Sequence, residues 1–244
     1  VRMIAKRGHE IGSHGLSHKK EDGFDVLTFD DQVKHLKTSK NILEDISGQE
    51  VVSFRAPALR VSDDTVLALM EAGYKIDSSV ASQRFDFFLS FGGKKKLKWL
   101  RAPRLPYRAS EESIYKKGGS EIIEVPLTAF VFPYVGTTLR IFPLITNIFK
   151  HLVALESTLT RKPVVFDIHP NEFLDESEWE RSVENRSNNF IEYLLQDLVR
   201  SKLKVRNLGP QAVPLYKKQI EYFLSRNYKF LPMKKYVVEQ GFQV

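Results

Sequence analysis

Short apolar runs alternate with amphipathic stretches along most of this 244-residue chain. Residues 11–14, 51–55, 74–77, 121–125 and 163–168 are compact apolar segments, and their length predicts short strands. Between the first two, residues 30–46 carry Val33, Leu36, Leu43 and Ile46 at helical spacing. A second helix is expected over 62–72, stopped by Gly73, because glycine readily takes the left-handed conformation that closes a helix. Helices are also expected over 141–155 and over 189–199, the latter with Phe190, Leu194, Leu195 and Leu198 at helical spacing. The last units are a helix carrying Tyr216, Ile220, Phe223 and Leu224, a strand at 228–231 and a short helix after Pro232. Strand–helix alternation argues for an α/β class, a parallel sheet covered by helices. Nothing repeats internally, and one domain over 1–244 is expected.

One string near the start stands out: Gly8-His9-Glu10-Ile11-Gly12-Ser13-His14-Gly15-Leu16-Ser17-His18. His14 and His18 are four residues apart, and side chains at that spacing share one face of a helical turn. Both imidazoles can then point at one ion. Further along come Ser53-Phe54-Arg55-Ala56-Pro57, Asp77-Ser78-Ser79-Val80, Ile122-Ile123-Glu124-Val125-Pro126 and Val165-Phe166-Asp167-Ile168-His169-Pro170. His14, Arg55, Asp77 and His169 each end a predicted strand. Taken in order, these strings resemble the motifs of the polysaccharide deacetylases, carbohydrate esterase family 4.

The resemblance implies a distorted (β/α) barrel of about seven strands, with the site at the strand C-termini. It implies a divalent metal, most simply zinc, held by His14 and His18, with a third ligand from an aspartate upstream of Val1. It also implies His169 as general acid, since an imidazole exchanges protons near neutral pH. Asp77 would orient that imidazole, and Arg55 would hold a catalytic-base aspartate. In the family both aspartates come from a Thr-Phe-Asp-Asp strand end ahead of the histidine pair. The chain begins at Val1, too close to Gly8 for that strand, and is expected to be an N-terminally incomplete form lacking the first strands. As it stands it is expected to bind metal weakly and to be catalytically poor, with Arg55 left facing a void or solvent.

Thr28-Phe29-Asp30-Asp31 spells the missing motif, but it follows the histidines and opens an amphipathic run. There Thr28 or Asp30 is expected to cap a helix, with the acidic residues favoured by the helix dipole. His9 is expected to be structural, turned away from the site or packed beneath it. Ala58 and Val80 stand where family members carry sugar-stacking aromatics. A small or unusual N-acetylated saccharide is therefore favoured over a polymer such as chitin, with Trp99, Tyr107 and Tyr134 as replacement surface.

Composition trims the remaining alternatives. There is no Cys, which excludes disulfides, thiolate nucleophiles and Cys-ligated zinc. A net charge of +7 suits anionic partners, yet the basic residues are dispersed apart from Lys94-Lys95-Lys96-Leu97-Lys98, expected to be a solvated loop, and no nucleic-acid motif accompanies them. Residues 127–149 are apolar-rich but interrupted by Pro133, Arg140 and Pro143, against a membrane span and in favour of buried packing. An apolar lip for a lipid-linked sugar, with peripheral membrane contact, is the sharper alternative. With neither signal peptide nor spanning segment in an incomplete N-terminus, location leans cytoplasmic. The competing functional readings are a related hydrolase acting on a formamido sugar or another small amide, and a non-catalytic saccharide-binding member of the fold.

Overall fold

The computed structural model describes residues 1–84, 98–174 and 206–244. They fall into two compact units, Val1–Val131 with Phe230–Val244, and Phe132–Lys229. The helix expected over 189–199 and residues 94–97 of the basic run lie outside the described residues.

The first unit is a mixed sheet with helices packed on it. Its five strands are β1 (Ser53–Phe54), β2 (Ile76–Asp77), β3 (Tyr107–Ser110), β4 (Ser113–Lys117) and β5 (Ile123–Glu124), in the order β1-β2-β5-β3-β4. β1, β2 and β5 run parallel, with Phe54, Asp77 and Glu124 in one row, and Tyr107 of antiparallel β3 continues that row. The expected barrel is not formed among the described residues. Among the described residues, the strands between β2 and β5 in sequence pair antiparallel. They form the β3–β4 hairpin, in which β3 pairs antiparallel with β5 and β4 is left as an edge. The parallel strands are two residues each, shorter than their apolar runs, because flanking residues such as Val51, Val52 and Val125 are buried without joining the ladder as strand.

Helices α1 (Arg2–Lys6), α2 (Phe29–Ser47) and α3 (Thr65–Glu71) complete this half of the unit. Thr28 caps α2: its hydroxyl accepts from the Asp31 backbone N–H at 3.3 Å and donates to the Asp31 carboxylate at 2.7 Å. Asp30 and Asp31 occupy the first turn, where the helix dipole favours acids. The Thr-Phe-Asp-Asp string is thus a helix start. Leu36, Val66, Leu69 and Ile76 are wholly buried, each contributing about 1.5–3 kcal/mol on removal from water. Phe24, Phe54 and Tyr74 stack edge to face beside them. Helix α7 (Met233–Glu239), the one expected after Pro232, donates the Lys234 backbone N–H to Glu10 at 2.8 Å.

The second unit holds α4 (Gly136–Ile141), α5 (Pro143–Thr160) and α6 (Ala212–Leu224). Its interior is aromatic, with Tyr134 against Phe149, Phe166 and Phe223. A buried ion pair joins Arg140 to Glu172 at 3.3 Å, and Tyr216 donates to the same carboxylate. Gly136 is required there, since any Cβ would overlap Glu172 and Tyr216. The strand expected over 163–168 is reduced to one bridge, Val135 to Asp167. Residues 228–231 pair with no strand among the described residues; Asn227 turns left-handed at φ 61° and Tyr228 folds back, its N–H on Phe223 and its hydroxyl on Ala154. Burial expected for the apolar stretch holds for Leu127, Ala129 and Leu139, while Val131, Phe132, Leu144 and Ile145 are exposed. No helix among the described residues is long and apolar enough to cross a membrane.

Candidate active site

The histidine pair sits on a loop at the edge of the first unit, not on a helical turn as the spacing suggests. Ser13 bridges to Phe54 beside β1, with its N–H on the Ser53 carbonyl at 2.8 Å and its own carbonyl accepting from Arg55 at 2.9 Å. Gly15 then turns the chain at φ +76°, a conformation that costs a residue with a Cβ, and a Cβ here would press on Pro57 at 3.0 Å. That turn brings His18 back to His14. Their ring centroids are 4.8 Å apart at an interplanar angle of 63°. His14 is half-buried and His18 exposed. His14 Nδ1 lies 2.6 Å from the Arg55 carbonyl oxygen. A carbonyl only accepts, so Nδ1 carries the hydrogen and the Nε2 lone pair is left for another partner.

Behind the loop, the ends of β1, β2 and β5 are tied together. Arg55 does not face a void: its Nε donates to the Ser78 carbonyl and its Nη2 to the Ser78 hydroxyl, each at 2.9 Å. Ser78 passes its hydroxyl hydrogen to the Val125 carbonyl at 2.7 Å. Asp77 is fully buried and accepts from the Ser79 N–H at 3.0 Å and the Ser79 hydroxyl at 2.7 Å. Ser79 in turn accepts the Ala56 N–H at 2.8 Å. Next in the row, Glu124 is also fully buried, accepting from the Val80 N–H at 3.0 Å and set beside Asp77 by the strand register. Burial pushes both carboxyls up in pKa; for Glu124 the neighbouring Asp77 charge raises it further, well above the carboxylate range. Charge on Arg55 opposes the rise in both.

Residues 1–76 match the family model described as polysaccharide deacetylase. Over that segment the chain is similar to the polysaccharide deacetylase family. A peptidoglycan deacetylase of Helicobacter pylori is 29% identical over 85 residues, covering 35% of this chain. The chain spans 28% of the length of that relative. A crystal structure from Mycobacterium smegmatis, of a protein assigned as a polysaccharide deacetylase, is similar at a TM-score of 0.46 and 18% identity, covering 68% of this chain and 52% of that one.

The deacetylase segment contains the histidine pair, Arg55 and the strand leading to Asp77. His169 belongs to the second unit, exposed where the chain enters the single turn Pro170–Phe173. The donor set suits a divalent metal as far as it goes, for two imidazoles converge and one is oriented by a backbone carbonyl, as metal-binding histidines usually are. Among the described residues no group of three or more His, Asp or Glu side chains converges to hold an ion. Among the described residues, His14 and His18 line neither an open cleft of about 410 Å³ nor one of about 660 Å³.

One expectation for flanking residues changes. Trp99, Tyr107 and Tyr134 are not a sugar-stacking surface: they are 1%, 3% and 1% exposed, with Tyr107 bonded to the Ile114 carbonyl and Tyr134 to Gln219. Lys98, the one described residue of the basic run's lysines, is exposed and paired with Asp63 at 2.7 Å. His9 is exposed and lines the larger cleft with Glu10 and Lys234, apart from His14 and His18. Sequence reasoning gave no separate role to Ser78, Ser79 and Glu124. One signal was available for Glu124, an acid inside the apolar run Ile122-Ile123-Glu124-Val125, since an acid rarely enters a core unpaired.

Proposed function

We propose that this chain supplies part of the catalytic centre of a metal-dependent hydrolase that removes an N-acetyl group from a saccharide. The observation that carries the reading is the convergence of His14 and His18, with His14 Nδ1 committed to the Arg55 carbonyl. Those histidines would hold the metal through ring nitrogens, with a third ligand from an aspartate upstream of Val1, as the family resemblance implies. A metal bound there would supply a more acidic water and a polarised acetyl carbonyl.

The remaining roles fall to the chain's own groups. Arg55, fastened to Ser78, presents a fixed positive charge beside the histidine loop and would position the base carboxylate. His169 would donate the proton that the departing amine needs. Asp77, oriented by Ser79, would fix that imidazole's tautomer and favour its cationic form. The substrate class follows from the family and from the absence of aromatic platforms at Ala58 and Val80, which favours a small or unusual saccharide over a polymer.

The test pairs zinc titration with acetate release from an N-acetylated oligosaccharide, using this chain and an N-terminally extended form. The extended form is expected to bind zinc more tightly and to release acetate, and His18→Ala to abolish both. Zinc affinity indifferent to His14→Ala and His18→Ala would overturn the metal site. Tight zinc binding with no acetate release would favour another small amide or a saccharide-binding role.

A further inference from the structure

Asp77 and Glu124 are register partners on neighbouring parallel strands, in the row that also holds Phe54 and Tyr107. Both are 0% exposed. Two carboxylates cannot share such a position without a proton, because mutual repulsion adds to the loss of hydration. The hydrogen bonds decide which one keeps it. Both oxygens of Asp77 receive donors from Ser79. Glu124 Oε1 receives the Val80 N–H, while no nitrogen or hydroxyl donor reaches the buried Oε2. An oxygen that receives nothing is suited to give a hydrogen.

We propose that Glu124 is a positioning residue of the candidate site, holding the single proton of a buried acid–carboxylate pair and donating it from Oε2 to Asp77. Asp77 is thereby kept as the one ionised carboxylate at the end of β2, fixed by Ser79 on one side and Glu124 on the other. The charged and titratable groups around the pair are Arg55, whose charge stabilises both carboxylates, and Tyr107 and Tyr115, whose own ionisation is pushed up first by burial and further by these two acids. The pair is a property of the folded sheet alone. Its consequence for catalysis, through the fixed charge on Asp77, rests on the deacetylase reading.

Glutamine reproduces the proposed state of Glu124: its carbonyl oxygen accepts from Val80 and its amide donates to Asp77. An ionised glutamate offers Asp77 no hydrogen. Chemical denaturation across pH 4 to 8 (roughly the span above the ordinary carboxylate pKa) therefore separates the two. A proton held in the fold must be lost on unfolding, so the wild-type protein loses stability as pH rises above the usual carboxylate range. Glu124→Gln does not carry that cost, and its folding constant should gain on wild type by up to about tenfold per pH unit. Infrared spectra at neutral pH should show the carbonyl stretch of a protonated carboxyl in wild type, absent in Glu124→Gln.

A gap that is constant with pH, or a protonated-carboxyl band that survives Glu124→Gln and vanishes in Asp77→Asn, would overturn the assignment. So would a glutamine variant that fails to fold while Glu124→Asp folds, since an ionised group would then be required. In a form that releases acetate, Asp77→Asn should lower kcat far more than it raises KM, and Glu124→Ala, which leaves Asp77 without its donor, should lower kcat with Glu124→Gln restoring part of the loss. If no form releases acetate, the deacetylase reading fails while stability and infrared still decide the pair.

Discussion

His14 holds its Nδ1 atom 2.6 Å from the carbonyl oxygen of Arg55, joining the histidine loop to the end of β1. The contact selects a tautomer, with hydrogen on Nδ1 and a lone pair on Nε2. Nitrogen-detected NMR of the neutral ring should show that tautomer without any metal added. Zinc should then shift the Nε2 resonance of His14, and His14→Ala should weaken zinc binding by more than the ~10–100-fold typical of losing an outer-shell partner. A ring found protonated on Nε2 would remove the orienting role of Arg55.

Thr28 is a helix cap, and its substitution should behave as one. Thr28→Ala removes the acceptor for the Asp31 N–H and should cost about 1 kcal/mol of stability. Zinc affinity should be unchanged in Thr28→Ala, Asp30→Asn and Asp31→Asn. A loss of zinc binding on changing either aspartate would mean that the Thr-Phe-Asp-Asp string contributes ligands after all.

Glu44 gives the fold an acid-side dependence opposite in sign to that of Glu124. The Val51 N–H, first, and then Lys40 lower the Glu44 pKa below its ordinary value. A lowered folded-state pKa means that the contribution is present above the unfolded value and lost as pH falls through the folded one. Glu44→Gln should therefore destabilise the protein at pH 7 by an amount that shrinks at pH 3 to 4 (about the range of ordinary carboxylates). Denaturation midpoints at the two pH values check it, and an equal loss at both would show that the hydrogen bond matters but the charge does not.

Much of the first unit could be read from residue order alone. Leu36 and its helical neighbours, the stop at Gly73, the apolar runs around Phe54, Ile76 and Ile123 and the cap at Thr28 are all local signals, set by periodicity and side-chain chemistry within a few residues. The motif strings carried the resemblance to the deacetylase family, because they keep their order whatever the fold does between them. Sheet topology was not local. Nothing in Tyr107 to Lys117 announces an antiparallel hairpin beside β5, since pairing direction depends on partners far away in sequence. Spacing suggested a shared helical face for His14 and His18, whereas the positive φ of Gly15 and the packing of Pro57 bring the rings together. Burial decided the rest. Trp99, Tyr107 and Tyr134 have the chemistry of sugar platforms, yet their environment makes them core. Asp77 and Glu124 are two ordinary acids 47 positions apart until parallel pairing sets them side by side away from water, where only one can hold a charge.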